Sequence, residues 1–558
     1  MAGELTQEEL ASEESQPGFV VGQGEREGMD FFAASSSEQA PRPRNGYGVG
    51  SQARRPEKMH ATRLITANTC GTVELDRLLP DATRTGEGKV FANSCTSDWQ
   101  QVEPGDVYVA LPELAGSEEN GHRSVLEAVA RGAIAMICEE PVPVFDVPTY
   151  LVNDSRVAFG KLCQALASQP SQSIAVVAVT GTHGKSTVIA LLDSIFAMAG
   201  KHCGKISGLG CYDGMSHSTG IELPAAPELA ARLERMVAVG CTHAFVEVSS
   251  EALSNASYAG IEFDAVCVTN VSDAHLDLHN SVQSYRNLKK SILKHLAPAG
   301  MVTLNADDPV SIKWLNHVDG PSLTFGTKGQ AEITGELIAE YSNEQEFTIS
   351  AGSQSAALRT TMIGEHHLSN CLAAATIALS YGIDLQTIAA GIEAVENLPG
   401  RMERVDCGQG FPVFVDAADT AESLRASLRS ARHLSTGRVI CVLGDPRSAT
   451  YSEQLAVAHV VSRMADVAII ARSFPAEEMS VCDSHQRARV EVVDDRRKAI
   501  ACALAVAQPG DVVVIAGSRW EPQRAYGSFA PKSEQGDAAT ARRVLYARTE
   551  QVPLRLVA

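Results

Sequence analysis

Short stretches of this chain are apolar almost without interruption: SIAVVAVTG, HAFVEVSS, DAVCVTNVS and MVTLNADDP in one region, and PVFVDAA, RVICVLGD, DVAIIARS, VEVVDD and DVVVIAGS in another. A strand with one wet face alternates apolar and polar residues. Runs without alternation belong to strands covered on both faces, as in a parallel sheet flanked by helices. Helix-compatible sequence follows each run, so the chain reads as α/β, with doubly wound sheets. The two sets part at Pro399 and Gly400, and a smaller set, DVYVALPEL, SVLEAVARGAIAMICEE and VPTYLVND, comes before them. With 558 residues the chain exceeds what one core of ~250 to 300 residues holds. The expected organisation is three α/β domains, 61–168, 169–398 and 399–558, behind a segment 1–60 rich in Glu, Ser, Gln, Gly and Pro that is predicted to be a disordered tail.

Charge and cysteine content remove several classes of function. Lys and Arg number 47 against 67 Asp and Glu, a net charge of −20, so the average surface repels nucleic acid and anionic lipid, and no nucleic-acid partner is expected. Any anionic ligand must be held by a local site. Thirteen cysteines, an odd number, are scattered without a C-x-x-C pair, which reads as reduced thiols in a cytoplasmic protein and not as a disulfide framework or zinc site. No apolar run approaches the ~18 residues that a membrane-spanning helix needs, and Glu4, Glu8, Glu9, Glu13 and Glu14 contradict a transit peptide.

The sharpest local signal is VAVTGTHGKSTVIALLDSIF, a buried strand, a glycine-flanked loop and a helix. Gly181 and Gly184 let backbone amides turn inward, and the helix N-terminus favours phosphate. Thr182 and His183 complete the loop, Lys185 is placed to reach the outer phosphates, and the hydroxyl of Ser186 or Thr187 is placed for Mg²⁺. The strict G-x-x-x-x-G-K-[ST] pattern is missed, since Val179 occupies the first glycine position. Glu247, ending HAFVEVSS, and Asp273, His275, Asp277 and His279 follow other strands whose carboxyl ends share the crevice of this loop. Oxygen ligands and an imidazole beside a triphosphate suit a divalent cation.

GTHGKST, EVSS, the N-V-S-x-x-H-L-D-x-H segment, Tyr285 to Lys289, GEHHLSN, LPGRMERVD and DRRKAI stand in the order found in the Mur ligases, and the chain resembles that family over nearly its whole length after residue 60. It is most similar to the members that add the third peptide residue of peptidoglycan precursors. The resemblance implies a three-domain architecture with a central phosphate-loop ATPase-type sheet and a doubly wound C-terminal domain. It implies ATP and Mg²⁺ as cofactors, a UDP-MurNAc-peptide and an amino acid as substrates, a monomer, and an amide formed through an acyl phosphate. By similarity Lys185, His275 and Lys289 are catalytic, with Lys289 the lysine carried as a carbamate; Ser186, Glu247, His275 and Lys289 serve the metal; and Asn370, Arg401 and Asp416 join Gly181 to Thr187 at ATP. Asp98, Ser249, Ser250 and Glu521 fall at substrate-facing positions.

The match breaks mostly where substrate would bind. D-S-R reads Asp98, Trp99, Gln100; T-T-P reads Ala225, Ala226, Pro227; S-S-H-A-L has Glu251 for its His, and Ser257 stands at the expected arginine. D-Y-A-H-T-P reads Asp416, Ala417, Ala418, Asp419, Thr420, Ala421; the diaminopimelate-selecting D-N-P-R is absent, and G-K-G-H-E reads Gly517 to Glu521 with Ser, Arg and Trp between. Nearer the chemistry, Ala274 replaces an Asp and His367 the first Asn of the adenine motif. Three functions are therefore weighed: a third-residue ligase, a catalytically impaired paralogue acting as scaffold or regulator, and a ligase for a different acid or amine.

Overall fold

The apolar runs become the inner strands of three sheets in the computed structural model, which describes residues 63–65, 72–113, 120–143, 146–218, 223–272, 281–328, 330–341, 343–444, 451–471, 488–517 and 536–550. The expected tail lies outside the described residues.

The first sheet has strands β1 (Arg63–Ile65), β2 (Thr83–Thr85), β3 (Ser94–Thr96), β4 (Val107–Val109), β5 (Ala135–Cys138) and β6 (Thr149–Leu151), in the order β1-β3-β4-β5-β6-β2. Its middle strands are parallel and its two edges antiparallel. Helix α1 (Ser155–Leu166) starts where the Asp154 carboxylate accepts the Val157 amide at 2.9 Å, an N-cap that satisfies an otherwise orphaned donor. Its buried face, with Phe159, Leu162 and Leu166, packs with Val107, Val109 and Ile137.

The second sheet has eleven strands: β7 (Ala175–Thr180), β8 (Cys203–Ser207), β9 (Gly210–Tyr212), β10 (His217–Ser218), β11 (His243–Val248), β12 (Phe263–Val268), β13 (Leu296–Asn305), β14 (Ser322–Gly326), β15 (Ile333–Glu340), β16 (Gln345–Ala351) and β17 (Gln354–Thr360). Their order is β10-β9-β8-β11-β7-β12-β13-β14-β15-β16-β17. β7 is central, paired in parallel with β11 and β12, and all its residues from Val176 to Thr180 are buried. Helices α2 (Lys185–Met198), α5 (Glu365–Ser380) and α6 (Leu385–Glu393) share one core with one face of the sheet. Helix α3 (Ala226–Ala238) contributes Leu229, Leu233 and Met236 to the core on the other face, while α4 (Val282–Lys290) adds Tyr285 there. The strands β15 to β17 form an antiparallel meander, which departs from the parallel sheet that the unbroken apolar runs predict. In β17 burial alternates from Ala356 to Thr360, the mark of a strand with one wet face.

The third sheet runs β18 (Glu403–Arg404), β19 (Val413–Val415), β23 (Val512–Ala516), β20 (Val439–Leu443), β21 (Val467–Ala471), β22 (Arg489–Val493), parallel except at β18. Helices α7 (Ala421–Leu434) and α8 (Tyr451–Met464) cover one face; α9 (Arg496–Val506) and α10 (Asp537–Glu550) cover the other. Thr420 and Ser423 make a reciprocal capping box at the start of α7.

Candidate nucleotide and ligation site

The loop between β7 and α2 needs its glycines at two points. Gly181 has φ 147° and Gly184 φ 85°, and a Cβ on either would stand 1.9 Å from Thr269 Oγ1 or 2.2 Å from Asn370 Oδ1. No side chain caps α2, so its first amides face the loop. The loop is braced from β12: the Thr182 amide donates to the Asn270 carbonyl at 2.9 Å and the His183 amide to Asn270 Oδ1 at 2.9 Å. The His183 carbonyl accepts from Thr269 Oγ1 at 2.6 Å and Asn270 Nδ2 at 3.2 Å. The Ser272 amide donates to Thr182 Oγ1 at 3.0 Å, and that oxygen lies 3.1 Å from the Tyr285 hydroxyl. Asn270 was not among the residues expected at the site, although its place just past a buried run beside β7 is a usable signal.

Cations and hydroxyls gather over this cradle. Lys185 folds back, its Nζ donating to the carbonyls of Gly181 at 3.1 Å and Thr182 at 3.0 Å. Burial lowers its pKa, Glu247 and Asp419 oppose that shift, and Arg401 adds to it. Ser186 Oγ donates to Glu247 Oε2 at 2.7 Å, and the Gly208 amide donates to the same oxygen at 2.8 Å. Thr187 is buried in the first turn of α2. Lys289 is 1 % exposed, with Nζ 5.2 Å from the Tyr285 ring centroid. Burial first, then Lys185, push its pKa well below the usual lysine range.

Across the crevice, Asn370 is buried against Gly184. Beside it, His367 is 2 % exposed, and neither of its ring nitrogens has a hydrogen-bond partner among the described residues. Arg401 Nη1 donates to the Gly400 carbonyl at 3.2 Å. Asp416, at the end of β19, accepts from Ser427 Oγ at 2.5 Å; burial raises its pKa against the opposing effects of that bond and of Arg401. Thr420 Oγ1 comes within 3.4 Å of His183 Nε2, and Glu422 Oε2 within 3.8 Å of the same nitrogen. The start of α7 thus touches the phosphate loop.

Not every expected residue joins this group. Ser249 caps the short helix Ser250–Ser254, accepting the Ala252 amide at 3.0 Å, and Ser250 is buried there, both just beyond Glu247. Asp98 lies in the first unit and accepts the Gln100 amide at 2.9 Å; no hydrogen bond or ion pair joins it to the loop among the described residues. His275, Asp273, Asp277, His279 and Glu521 lie outside the described residues. Ala225 begins α3 without a side-chain cap, where a threonine is worth about 1 kcal/mol.

Among the described residues no cluster of three or more His, Cys, Asp or Glu side chains could hold a metal ion. Ser186 Oγ and Glu247 Oε2 are nevertheless hard oxygens at one point. Mg²⁺ typically takes one or two such ligands and completes its shell with phosphates and water, so this pair fits it.

Two family models match the chain: the Mur ligase middle domain over residues 179–378 and the Mur ligase, glutamate ligase domain over 400–519. The "UDP-N-acetylmuramoyl-L-alanyl-D-glutamate--2,6-diaminopimelate ligase" of Geobacillus kaustophilus (strain HTA426) is 34% identical over 446 residues, 77% of this chain and 90% of that protein. The chain belongs to the Mur ligase family. The "UDP-N-acetylmuramyl-tripeptide synthetase" of Roseiflexus sp. (strain RS-1) is 32% identical over 486 residues, 80% of this chain and 93% of its own length. Among solved structures, a UDP-N-acetylmuramoyl-L-alanyl-D-glutamate--2,6-diaminopimelate ligase superposes with TM-score 0.60 at 22% identity, covering 86% of this chain and 99% of that one. MurF ligase from Thermotoga maritima in complex with ADP gives 0.57 at 19% identity, covering 81% and 98%. The protein is therefore an ATP-dependent Mur ligase of the acid–amino-acid type, working in peptidoglycan precursor synthesis. No helix among the described residues is long and apolar enough to cross a membrane.

Proposed function

We propose that this Mur ligase joins an amino acid to the D-Glu carboxylate of UDP-MurNAc-L-Ala-D-Glu. The observation that carries the reading is the braced loop whose Lys185 and Ser186–Glu247 pair face Arg401 and Asp416 from the third unit. The substrate carboxylate oxygen attacks the γ-phosphorus of ATP and ADP leaves. The amine nitrogen then attacks the acyl carbon, phosphate departs with the C–O electron pair, and the nitrogen loses a proton, leaving the amide. Two anions must meet in the first step, so donors fixed in place are what the protein supplies. Lys185 offers an ammonium to the transferring phosphoryl group once it leaves the loop carbonyls. Ser186 and Glu247 would hold Mg²⁺, which supplies charge neutralisation on the phosphates. Lys289, as a carbamate, would add an anion to that neighbourhood, relieving the burial of a cation beside Lys185. The third unit would close over nucleotide through Arg401, Asp416 and the start of α7.

The test is purified protein with ATP, Mg²⁺, UDP-MurNAc-L-Ala-D-Glu and a panel of amino acids, followed for ADP and for new amide. The expected result is stoichiometric ADP and amide with at least one amino acid. Nucleotide binding without product would replace this reading with a non-catalytic one, and ADP formed only with another acid would reassign the substrate.

A further inference from the structure

The third sheet reverses its winding between β20 and β23. From β19 the chain steps outward through α7 to β20 and through α8 to β21; α9 then returns it from β22 to β23, which lies between β19 and β20. α8 belongs to the core on one face and α10 to the core on the other, so the chain leaves β20 and β23 in opposite directions. Ligands of open α/β sheets bind at the carboxyl ends of strands at such a reversal.

Arg496, the first residue of α9, puts its guanidinium there. Its Nε donates to both Asp537 oxygens at 3.0 and 3.1 Å, and its Nη2 to Asp537 Oδ2 at 2.7 Å and to the Ala516 carbonyl at 2.8 Å. Those bonds fix the plane of the fork and use Nε and Nη2, not Nη1. Nη1 is buried, without a hydrogen-bond partner among the described residues, and faces Gly444, where an added Cβ would stand 2.1 Å away. A buried donor left unbonded is unfavourable unless a ligand takes it. These strand ends adjoin the phosphate loop: the Gly517 amide donates to the Ala418 carbonyl at 2.9 Å, and Thr420, two residues on, meets His183. β19 and β20 are two strand spacings apart, ~10 Å, within the span of an extended amino acid.

We propose that Arg496 binds a carboxylate of the incoming amine substrate through Nη1. The inference rests on the ligase reading above. It is tested by kcat/KM with meso-diaminopimelate, lysine and cadaverine, a series that loses one carboxylate at each step, for the wild type and Arg496→Gln. In the wild type one of the two removals lowers kcat/KM about 10- to 100-fold. In Arg496→Gln the same removal changes it less than about twofold, the two proteins agree on cadaverine, and ADP affinity is unchanged. Gly444→Ala, which keeps the Asp537 anchor but crowds Nη1, reproduces the loss and guards against a folding defect in the first variant. Parallel losses on all three amines, or an undiminished carboxylate effect in Arg496→Gln, would overturn the assignment. If no amine is turned over, the ligase reading fails separately. Arg496 is then judged by calorimetric titration of the ADP-loaded protein with diaminopimelate: binding lost in Arg496→Gln supports it, while equal binding or none in the wild type refutes it.

Discussion

Gly184→Ala tests whether the phosphate loop is shaped by its contact with Asn370. Two effects oppose the substitution. A non-glycine residue at φ 85° carries the left-handed penalty of ~1 to 2 kcal/mol. The new methyl carbon would also stand 2.2 Å from Asn370 Oδ1, and because Asn370 is buried, relieving the clash is overpacking worth ~1 to 3 kcal/mol. Together they predict a loss of ~2 to 5 kcal/mol in the central unit, a fall in melting temperature of ~5 to 15 °C at its size. The assay is nucleotide-free thermal unfolding in a Trp99→Phe, Trp520→Phe background, where Trp314, 5 % exposed in the central core, is the one remaining tryptophan. Asn370→Ala in the same background removes the clashing group, so the double variant should recover ~1 to 3 kcal/mol relative to the sum of the single ones. Additivity within ~0.5 kcal/mol would refute the contact as the origin of the effect and leave only backbone strain.

Glu247→Gln keeps the shape but removes the charge that Ser186 and the Gly208 amide address; we expect the Mg²⁺ concentration for half-maximal activity to rise at least tenfold, and an unchanged Mg²⁺ profile would count against a metal role. Lys289→Glu should retain more activity than Lys289→Ala, because the position is read as an anion in the working enzyme; equal inactivity would remove that argument. The raised pKa of Asp416 means that the folded state holds its proton more tightly than the unfolded chain, so its contribution falls as pH rises from the ordinary carboxylate range through the folded pKa. Asp416→Asn should therefore raise the nucleotide-free melting temperature at pH 7 and bring no gain at pH 4, whereas a pH-independent difference would contradict the assignment. Burial pushes the thiols of Cys138, Cys203, Cys267 and Cys441 up to about 12, and that of Cys163 far above its ordinary value; native alkylation mapped by mass spectrometry should spare all five while modifying the partly exposed Cys407 and Cys502.

How much of this was legible in the sequence depends on how local the cause is. GTHGKST announces itself because strand, glycines, lysine and helix are contiguous, and the structure places Gly181 and Gly184 at positive φ. Glu247 was legible as the end of an apolar run, since adjacent parallel strands bring their carboxyl ends together, and it pairs with Val179 across the ladder. Lys289 stands beside Lys290, and only the helix phase separates them: Tyr285 and Lys289, four residues apart, share the buried face of α4. The antiparallel meander carries a different mark from the unbroken apolar runs, since SAALRT alternates. Arg496 sits in a recognised motif, yet the orientation of its guanidinium arises from Ala516, Asp537 and Gly444 on other parts of the chain, a conjunction no spacing rule encodes. The bracing of the loop by Asn270 is likewise a product of strand order.

Each of the three sheets lies between its own pair of apolar cores, and no one core spans all three. Neighbouring units nevertheless share side chains at two seams: Ala226 and Ala230 of α3 lie in a core of the first sheet, and Ile363 lies in a core of the third, so packing strain passes between units there. Trp99, between Asp98 and Gln100, packs instead against a core drawn from the first unit alone. Substitutions on such a private core can amend one compartment while the phosphoryl-transfer machinery stays as it was, whereas exchanging whole compartments between relatives has to carry the shared seams across intact.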